Sequence, residues 1–243
     1  MANSLTPHEM LEALRRDAAR FGVDVVSSAR LGPEHKARFH ASIEGIAGSL
    51  DHAIVLGIRL SGEVLATIAG APNWTYYHHY RTVNFALDQA ALFCAGECRR
   101  RGYRAFPVPA SQVMDWDRLR GHLSHRELAA LAGVGWRGRN NLLVHPEFGS
   151  QVRYTSILTD APLPERGLPL DEARGCGDCH SCVGVCPAGA IAADPLAFDL
   201  DRCTAQVRRF SQTEKLNVLI CGVCVQACVG SAPSAETSRG RCA

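Results

Sequence analysis

Cysteine content limits, more than any other feature, what this chain can fold into. The chain has 11 cysteines in 243 residues, and eight of them lie between Cys176 and Cys228. A chain of this length can bury a large hydrophobic core, so it does not need disulfides to fold. In a reducing compartment, such a concentration of thiols indicates metal or redox chemistry rather than a disulfide framework.

The spacing of these cysteines is specific. Residues 176–187 follow the pattern C-x2-C-x2-C-x3-C-P, the spacing of bacterial ferredoxins, in which three cysteines bind one four-iron four-sulfur cube and the fourth binds another. The cysteines further downstream bring the total to the eight that two cubes need. By this crossover we predict a first cluster bound by Cys176, Cys179, Cys182 and Cys228, and a second cluster bound by Cys186, Cys203, Cys221 and Cys224.

Zinc is the alternative ligand for such a set of thiolates. The match of eight cysteines and Pro187 to the two-cube pattern favours iron–sulfur clusters, although Val229 stands where a second proline is usual. The remaining cysteines are not expected to be ligands. Cys94 and Cys98 lie one helical turn apart and fit small buried hydrophobic residues, and Cys242 is close to the end of the sequence.

Charge and hydropathy exclude several classes of protein. With 26 basic and 24 acidic side chains, the formal net charge is +2, which is too balanced to predict electrostatic binding to nucleic acid or to an anionic membrane. The first residues lack the basic and apolar regions of a signal peptide, and no apolar run reaches the roughly 20 residues that cross a bilayer. We therefore expect a cytoplasmic protein that does not bind membranes.

A proline-rich stretch at residues 161–169 is the predicted linker between two domains. Residues 1–165 predict an α/β domain that binds the cofactor and substrate, and residues 166–243 predict a small ferredoxin-like domain with two 4Fe-4S clusters. An electron carrier needs only the second part. The roughly 170 preceding residues are therefore expected to bind whatever receives the electrons.

Local patterns in the first part support a mixed α and β reading. Capping boxes at Thr6 and Ser124 predict the starts of two helices, and the proline-free segment 75–101 predicts a long one. Apolar runs at residues 52–60 and 152–158 have the length of strands.

A glycine-rich stretch at residues 132–144 is the second unusual segment. Its glycines permit close approach of the backbone to a ligand, and Trp136, Arg139 and Asn140 suit a large, planar and polar one. A glycine-rich loop that closes a helix is an equally good interpretation of the same residues.

Residues 133–160, followed by the cysteine array, resemble the epoxyqueuosine reductases and the related reductive dehalogenases, which pair two 4Fe-4S clusters with cobalamin. Tyr77 and His78, at the start of the long helix, fit the same families. The resemblance implies an N-terminal domain similar to cobalamin-processing and nitroreductase-type folds, with cobalamin beside the nearer cluster. The candidate cofactor-binding residues are Trp136, Gly138, Arg139, Asn140, Gly149, Ser150, Tyr154 and Thr159.

Two departures from the epoxyqueuosine reductases are visible. Their proton-donating aspartate and the Pro and Glu after it are replaced here by Leu119, His122 and His125. We therefore predict His122 and His125 as catalytic proton donors, because an unperturbed histidine pKa near 6.5 allows proton delivery at neutral pH; a solvated surface role is the alternative for His125. Those reductases also continue into a helical-repeat extension thought to hold tRNA, whereas 15 residues follow Cys228 here, which argues against tRNA as a partner.

Together these features predict an iron–sulfur reductase. An external donor such as a ferredoxin or flavodoxin would supply electrons through the two clusters to cobalamin, for reduction of a small-molecule or corrinoid substrate. The alternative is a non-catalytic electron-transfer or corrinoid-reducing partner of another protein. A flavin, or no organic cofactor, in the same pocket is a third possibility.

Overall fold

The computed structural model describes residues 5–117, 119–165, 175–194 and 196–230. They form a mixed α/β fold. The helices are α1 (Pro7–Ala19), α2 (Pro33–Lys36), α3 (Ala41–Ala47), α4 (Gly62–Leu65), α5 (Trp74–Arg100), α6 (His125–Leu131), α7 (Ser181–Val185), α8 (Leu200–Thr213) and α9 (Val223–Gln226). The strands are β1 (Val25–Arg30), β2 (His52–Arg59), β3 (Ala105–Val108), β4 (Trp136–Arg137), β5 (Leu143–Val144) and β6 (Val152–Thr159).

The chain forms two compact units, each assembled from separate stretches of sequence. To the extent that the structure describes them, the first unit contains residues 1–59, 83–134 and 153–169, and the second contains residues 60–82, 135–152 and 170–243. Residues 60–82 and 135–152, which precede the cysteine-rich segment, thus belong to the same unit as that segment. The division at residues 165 and 166 stays a prediction, and Cys242 lies outside the described residues.

A four-stranded sheet in the order β1-β2-β6-β3 organises the first unit. Strand β1 pairs antiparallel with β2, and β3 pairs antiparallel with β6. The apolar run of β2 is buried continuously from Ala53 to Ile58, as expected for a strand covered on both faces. Helix α1 packs against β1, and α6 packs against β1 and β2.

Helices of the first unit begin where the sequence predicts. The Thr6 side chain accepts a hydrogen bond from the Glu9 N–H, and the Glu9 carboxylate accepts one from the Thr6 N–H, so the predicted capping box is confirmed. Ser124 likewise caps α6 by accepting from the Glu127 N–H at 3.3 Å. Each cap satisfies N–H groups that have no partner inside the helix. The predicted long helix is confirmed as α5.

Cys94 and Cys98 lie on α5 and are fully buried. Burial raises the pKa of the Cys94 thiol to about 12 and that of Cys98 to about 11. Thiols that stay protonated at neutral pH are inert packing groups, which agrees with their predicted role as small hydrophobic residues.

The second unit joins short helices to a two-stranded hairpin. Strands β4 and β5 pair antiparallel, with Trp136 opposite Val144. Helix α9 packs against α4 and α7. Close approach at Gly222, whose φ is +84°, holds α9 in place: a Cβ there would lie 2.6 Å from the Tyr76 ring. In the described part of the chain, no helix combines the length and apolarity needed to span a membrane.

Candidate functional site

One set of thiols in the second unit surrounds Cys182, which lies on α7. Its pKa is raised to about 11, first by burial and then by the negative charges of three neighbouring thiols. Charge interactions weaken with distance, so they identify groups that lie close together. Together these four cysteines form what we term the first cysteine group: Cys176, Cys179, Cys182 and Cys228.

A second set surrounds Cys224, on α9. Its pKa is raised, first by burial and then by the charges of nearby thiols. The pKa values of Cys203 and Cys221 are also raised, again first by burial, and Cys186 contributes to both shifts. These residues form the second cysteine group: Cys186, Cys203, Cys221 and Cys224. Cys182 of the first cysteine group also contributes to the Cys224 shift, so the two groups adjoin, and their division into the two predicted ligand sets stays a prediction.

Backbone and side-chain N–H groups point at the sulfurs of both groups. The Trp136 indole donates to Cys176 Sγ at 3.4 Å, and the Ser150 N–H donates to Cys228 Sγ at 3.3 Å. In the second group, the Ala190 N–H donates to Cys186 Sγ at 3.4 Å. These donors thus point at sulfur atoms of the kind that bind metals as thiolates.

Metal binding by the two cysteine groups depends on the geometry and the chemistry of their donors. Within the described ranges, no three His, Cys, Asp or Glu side chains are positioned to hold a metal ion. The donors themselves fit iron–sulfur clusters, because both groups consist of thiols, the soft ligands that such clusters use, and N–H groups already support the sulfurs. That these cysteines bind clusters remains a prediction.

Trp136 and Arg139 were predicted to contact an organic cofactor, and the structure places both against the cysteine loops. Trp136 is buried, and a Cβ on Gly175 would lie 2.1 Å from its ring. Arg139, also buried, donates from Nε to the Ala193 carbonyl at 2.7 Å and from Nη2 to the Gly177 carbonyl at 2.9 Å. The guanidinium thus ties together two loops that carry cysteines.

Asn140 and Ser150 form a buried pair next to the same loops. Asn140 Nδ2 donates to Ser150 Oγ at 3.0 Å, and Asn140 Oδ1 accepts from the Leu142 N–H at 3.2 Å. These bonds fix the turn between β4 and β5. The neighbouring Ser150 N–H is thereby held towards Cys228.

Two predicted glycines allow close packing in this region. Gly149 has a φ of +60°, and a Cβ there would lie 2.0 Å from the Cys228 carbonyl oxygen. At Gly138, a Cβ would lie 2.5 Å from Val144 Cγ2 and 3.6 Å from Cys176 Sγ. Gly149 therefore needs glycine because the chain passes directly over the Cys228 backbone, whereas the close contact at Gly138 is with the Val144 side chain.

Gln151 makes a structural bond that sequence reasoning missed. Its buried side chain donates to the Gln226 carbonyl at 3.0 Å, at the end of the helix that carries Cys224. The Gln226 side chain in turn donates to the Ile68 carbonyl at 3.1 Å. The sequence signal for Gln151 was its position directly after the candidate residue Ser150. Its acceptor is a main-chain carbonyl, and every residue has one, so the sequence cannot identify the partner.

Tyr154 and Thr159 lie on β6 and belong to the first unit. Thr159 Oγ1 donates to the Arg104 carbonyl at 2.7 Å. The Tyr154 hydroxyl is buried and has no hydrogen-bond partner among the described residues, and burial raises its pKa. A buried hydroxyl without a partner is costly, so Tyr154 has an unused polar group that a ligand can satisfy.

The two candidate histidines have different surroundings in the first unit. His125 Nδ1 lies 3.0 Å from Ser156 Oγ and His125 Nε2 lies 2.9 Å from the Pro109 carbonyl oxygen. Burial lowers the His125 pKa to about 4, so the ring is neutral at pH 7. His122 Nδ1 contacts Gln112 Oε1, and its pKa is lowered by burial and by the nearby His40.

Comparison with known proteins identifies relatives over part of the sequence. No protein-family profile matches the chain. The epoxyqueuosine reductase of Bacillus anthracis is 39% identical over 71 residues, which is 29% of this chain and 18% of that protein. The Escherichia coli enzyme is 42% identical over 78 residues, or 32% of this chain and 20% of that protein. The matched segment is thus a small share of each relative.

Solved structures share the fold over most of the chain. A catabolic reductive dehalogenase superposes with a TM-score of 0.75 and 22% identity, covering 93% of this chain and 32% of that one. An epoxyqueuosine reductase superposes with a TM-score of 0.59 and 19% identity, covering 92% and 66%. The predicted resemblance is confirmed: this chain has the mixed α/β fold of these proteins and is related to oxidoreductases.

Proposed function

We propose that this protein is an iron–sulfur reductase in which two 4Fe-4S clusters deliver electrons to cobalamin. The observation that carries the proposal is the grouping of the second unit's thiols around Cys182 and Cys224, with backbone N–H groups donating to Cys228 Sγ and Cys186 Sγ. Each group offers the four thiolates that one cube requires. The first cysteine group would bind one cluster and the second cysteine group the other.

Cobalamin is the proposed organic cofactor, with Tyr154 as the residue of the first unit that contacts it. A structural neighbour, also with a TM-score of 0.75 and 22% identity, is a reductive dehalogenase associated with B12-dependent dehalogenation. When bound, cobalamin supplies a metal centre that accepts electrons and reacts with the substrate. The unpartnered Tyr154 hydroxyl supports the assignment, because a bound polar ligand removes the cost of leaving it unsatisfied.

His122 is the better of the two predicted proton donors. Both His125 ring nitrogens already contact groups of the first unit, and its pKa of about 4 keeps the ring neutral at pH 7. We assign to His122 the transfer of a proton from its ring to the reduced substrate. His125 then positions α6 instead of exchanging protons with the substrate.

The proposed substrate is a small molecule or a corrinoid. One neighbour, an epoxyqueuosine reductase, was solved with an epoxyqueuosine-modified tRNA stem loop; it superposes with a TM-score of 0.55 and 20% identity. The net charge of +2 on the present chain favours a small ligand over a polyanion, which proteins bind by neutralising several phosphates with basic side chains.

A second candidate function is electron delivery to a corrinoid on another protein. The observation that favours it is the commitment of four predicted cofactor residues to bonds inside the second unit: Trp136, Arg139, Asn140 and Ser150. Side chains that already make these hydrogen bonds are not free to bind an organic cofactor.

Anaerobic reconstitution of the full chain tests the proposal. Iron and sulfide analysis should give about eight irons per chain, and electron paramagnetic resonance of the reduced protein should show two clusters. Titration with cobalamin, followed by visible spectra, should then show stoichiometric binding that Tyr154→Phe weakens. Fewer irons with all thiols accounted for would contradict the clusters, and two clusters without corrinoid binding would establish the second candidate.

A further inference from the structure

The two cysteine groups differ in the side chains that support them. Backbone N–H donors serve both: Ser150 donates to Cys228, Ala190 donates to Cys186, and the Val223 N–H bonds Cys221. The Trp136 indole, 3.4 Å from Cys176 Sγ, adds a side-chain donor to the first group. The Ser181 hydroxyl also lies 3.5 Å from Cys179 Sγ. Among the described residues, the groups therefore differ in side-chain contacts that substitutions can remove.

A buried cation lies beside the first group as well. The Arg139 guanidinium donates at 2.9 Å to the carbonyl of Gly177, which directly follows Cys176. Gly138 precedes Arg139 in the chain, and a Cβ on Gly138 would lie 3.6 Å from Cys176 Sγ. The carboxylates of Asp178 and Asp194 in the adjoining loops are exposed, so solvent screens their opposing charge more than that of the buried guanidinium.

We propose that the two clusters have unequal reduction potentials, the first being the more positive, and that the Trp136 indole N–H sets part of the difference. The inference rests on the proposed function, because it takes both cysteine groups to bind 4Fe-4S clusters. Reduction adds one negative charge to a cluster, and that charge spreads over its sulfurs. A hydrogen-bond donor on a ligand sulfur and a nearby cation therefore stabilise the reduced form and raise the potential.

The inequality gives electron transfer a direction inside the second unit. A low-potential iron–sulfur or flavin protein reduces the second cluster by one electron. That electron then passes to the first cluster, so the second cluster is reoxidised and the first is reduced, and no proton moves. Electrons thus leave the second unit from the first cluster. Trp136 is a positioning residue, because it influences that cluster through its hydrogen bond to Cys176 Sγ.

A redox titration of the reconstituted full chain, poised with dithionite and followed by electron paramagnetic resonance, tests the inference. In the unchanged protein we expect two waves. Trp136→Phe removes the donor while keeping an aromatic ring, and it should move the more positive wave downward by an amount on the order of 59 mV, the one-electron equivalent of a tenfold change in equilibrium constant. The other wave should stay in place.

Matched variants distinguish an effect on the reduction potential from general damage to the protein. Trp116→Phe removes an indole that is 68% exposed in the first unit, and it should move neither wave. Arg139→Met should lower the same wave as Trp136→Phe, and Arg139→Lys, which keeps the charge, should restore most of it. Electron–nuclear double resonance should also detect an exchangeable indole proton coupled to the first cluster, and this signal should vanish in Trp136→Phe.

Failure of the inference is distinguishable from failure of the proposed function. Fewer than about eight irons, or fewer than two waves in the unchanged protein, contradicts the clusters themselves. If Trp136→Phe keeps its irons and leaves the more positive wave unmoved, or moves the less positive one instead, the assignment of Trp136 is overturned. If Trp136→Phe changes only the iron content, Trp136 has a structural role, and the assignment is equally overturned.

Discussion

Buried polar groups behave differently in the two units. In the second unit, Trp136, Arg139 and Ser150 all donate to the cysteine loops, so their hydrogen-bonding capacity serves the thiols. In the first unit, the Tyr154 hydroxyl is buried with no partner among the described residues. Unsatisfied buried groups are uncommon in folded proteins. The polar groups of the second unit thus support cysteine loops, whereas the first unit leaves the Tyr154 hydroxyl and His52 Nδ1 without a partner among the described residues.

Removing a thiol of the first cysteine group is the strongest test of this comparison. Cys228→Ser should lower the iron content after reconstitution from about eight to about four per chain, because one cube loses a ligand. Cys98→Ala is the matched control, since Cys98 is a fully buried thiol of the first unit with a raised pKa. Its iron content should be unchanged, and a loss of iron in Cys98→Ala would remove the distinction between structural and ligand cysteines.

Packing over the first cysteine group gives the next largest effect. Gly149→Ala places a Cβ 2.0 Å from the Cys228 carbonyl oxygen, in a backbone conformation with a φ of +60°. We expect a loss of more than about 1 kcal/mol in the free energy of unfolding, measured by denaturant unfolding of the chain without clusters.

Gly45→Ala provides the control for this substitution. Gly45 lies in α3 of the first unit, where nothing stands within 4 Å of an added Cβ. Alanine in a helix interior is favoured over glycine by roughly 0.5–1 kcal/mol, so this variant should gain stability. Equal stability of the two variants would show that the chain does not pass over Cys228 as closely as the structure indicates.

Sequence patterns predicted the parts of the molecule that depend on short-range order. The apolar run of residues 52–60 and the proline-free segment 75–101 correspond to β2 and α5, because period and composition act within one element. The division of the cysteines into two ligand sets, which also comes from spacing, stays a prediction. These signals need no knowledge of distant contacts.

The partners of Arg139 could not be predicted from the sequence. Its guanidinium bonds carbonyls that are 38 and 54 residues away along the chain, and main-chain carbonyls are present at every residue. The grouping of residues 60–82 with the cysteine segment has the same origin, since one of its contacts is a hydrogen bond from the Gln226 side chain to the Ile68 carbonyl. The bonds of Arg139 to two cysteine loops were therefore missed, and its predicted contact with an organic cofactor stays a prediction.

Acidification should affect the first unit through His125. Its pKa is lowered to about 4 in the folded protein, mainly by burial, against about 6.5 in the unfolded chain. The unfolded chain therefore binds a proton first, and the protein should lose stability as the pH falls from about 6.5 to about 4. Denaturant unfolding at pH 7 and pH 5 should show a smaller loss for His125→Gln than for the unchanged protein. An equal loss would mean that His125 is not neutral in the fold.

The smallest expected effect concerns two hydroxyls on β6. It tests the comparison between the two units most directly. Tyr154→Phe removes a buried hydroxyl without a partner, so stability should stay the same or rise by about 1 kcal/mol in the absence of cobalamin. Thr159→Val removes a hydroxyl that donates to the Arg104 carbonyl at 2.7 Å, and it should lower stability by roughly 1 kcal/mol.

Cobalamin should reverse the ranking of these two variants. Binding of a ligand to the folded state adds stability that grows with its affinity, so the unchanged protein should gain more from added cobalamin than Tyr154→Phe does. Thr159→Val should gain as much as the unchanged protein, because the Thr159 hydroxyl already bonds the Arg104 carbonyl and is no longer assigned a cofactor contact. The midpoint of thermal unfolding, measured with and without cobalamin, reports both quantities. If Tyr154→Phe destabilises the chain without cobalamin, its hydroxyl is satisfied within the fold, and the contrast between the two units no longer identifies a ligand contact.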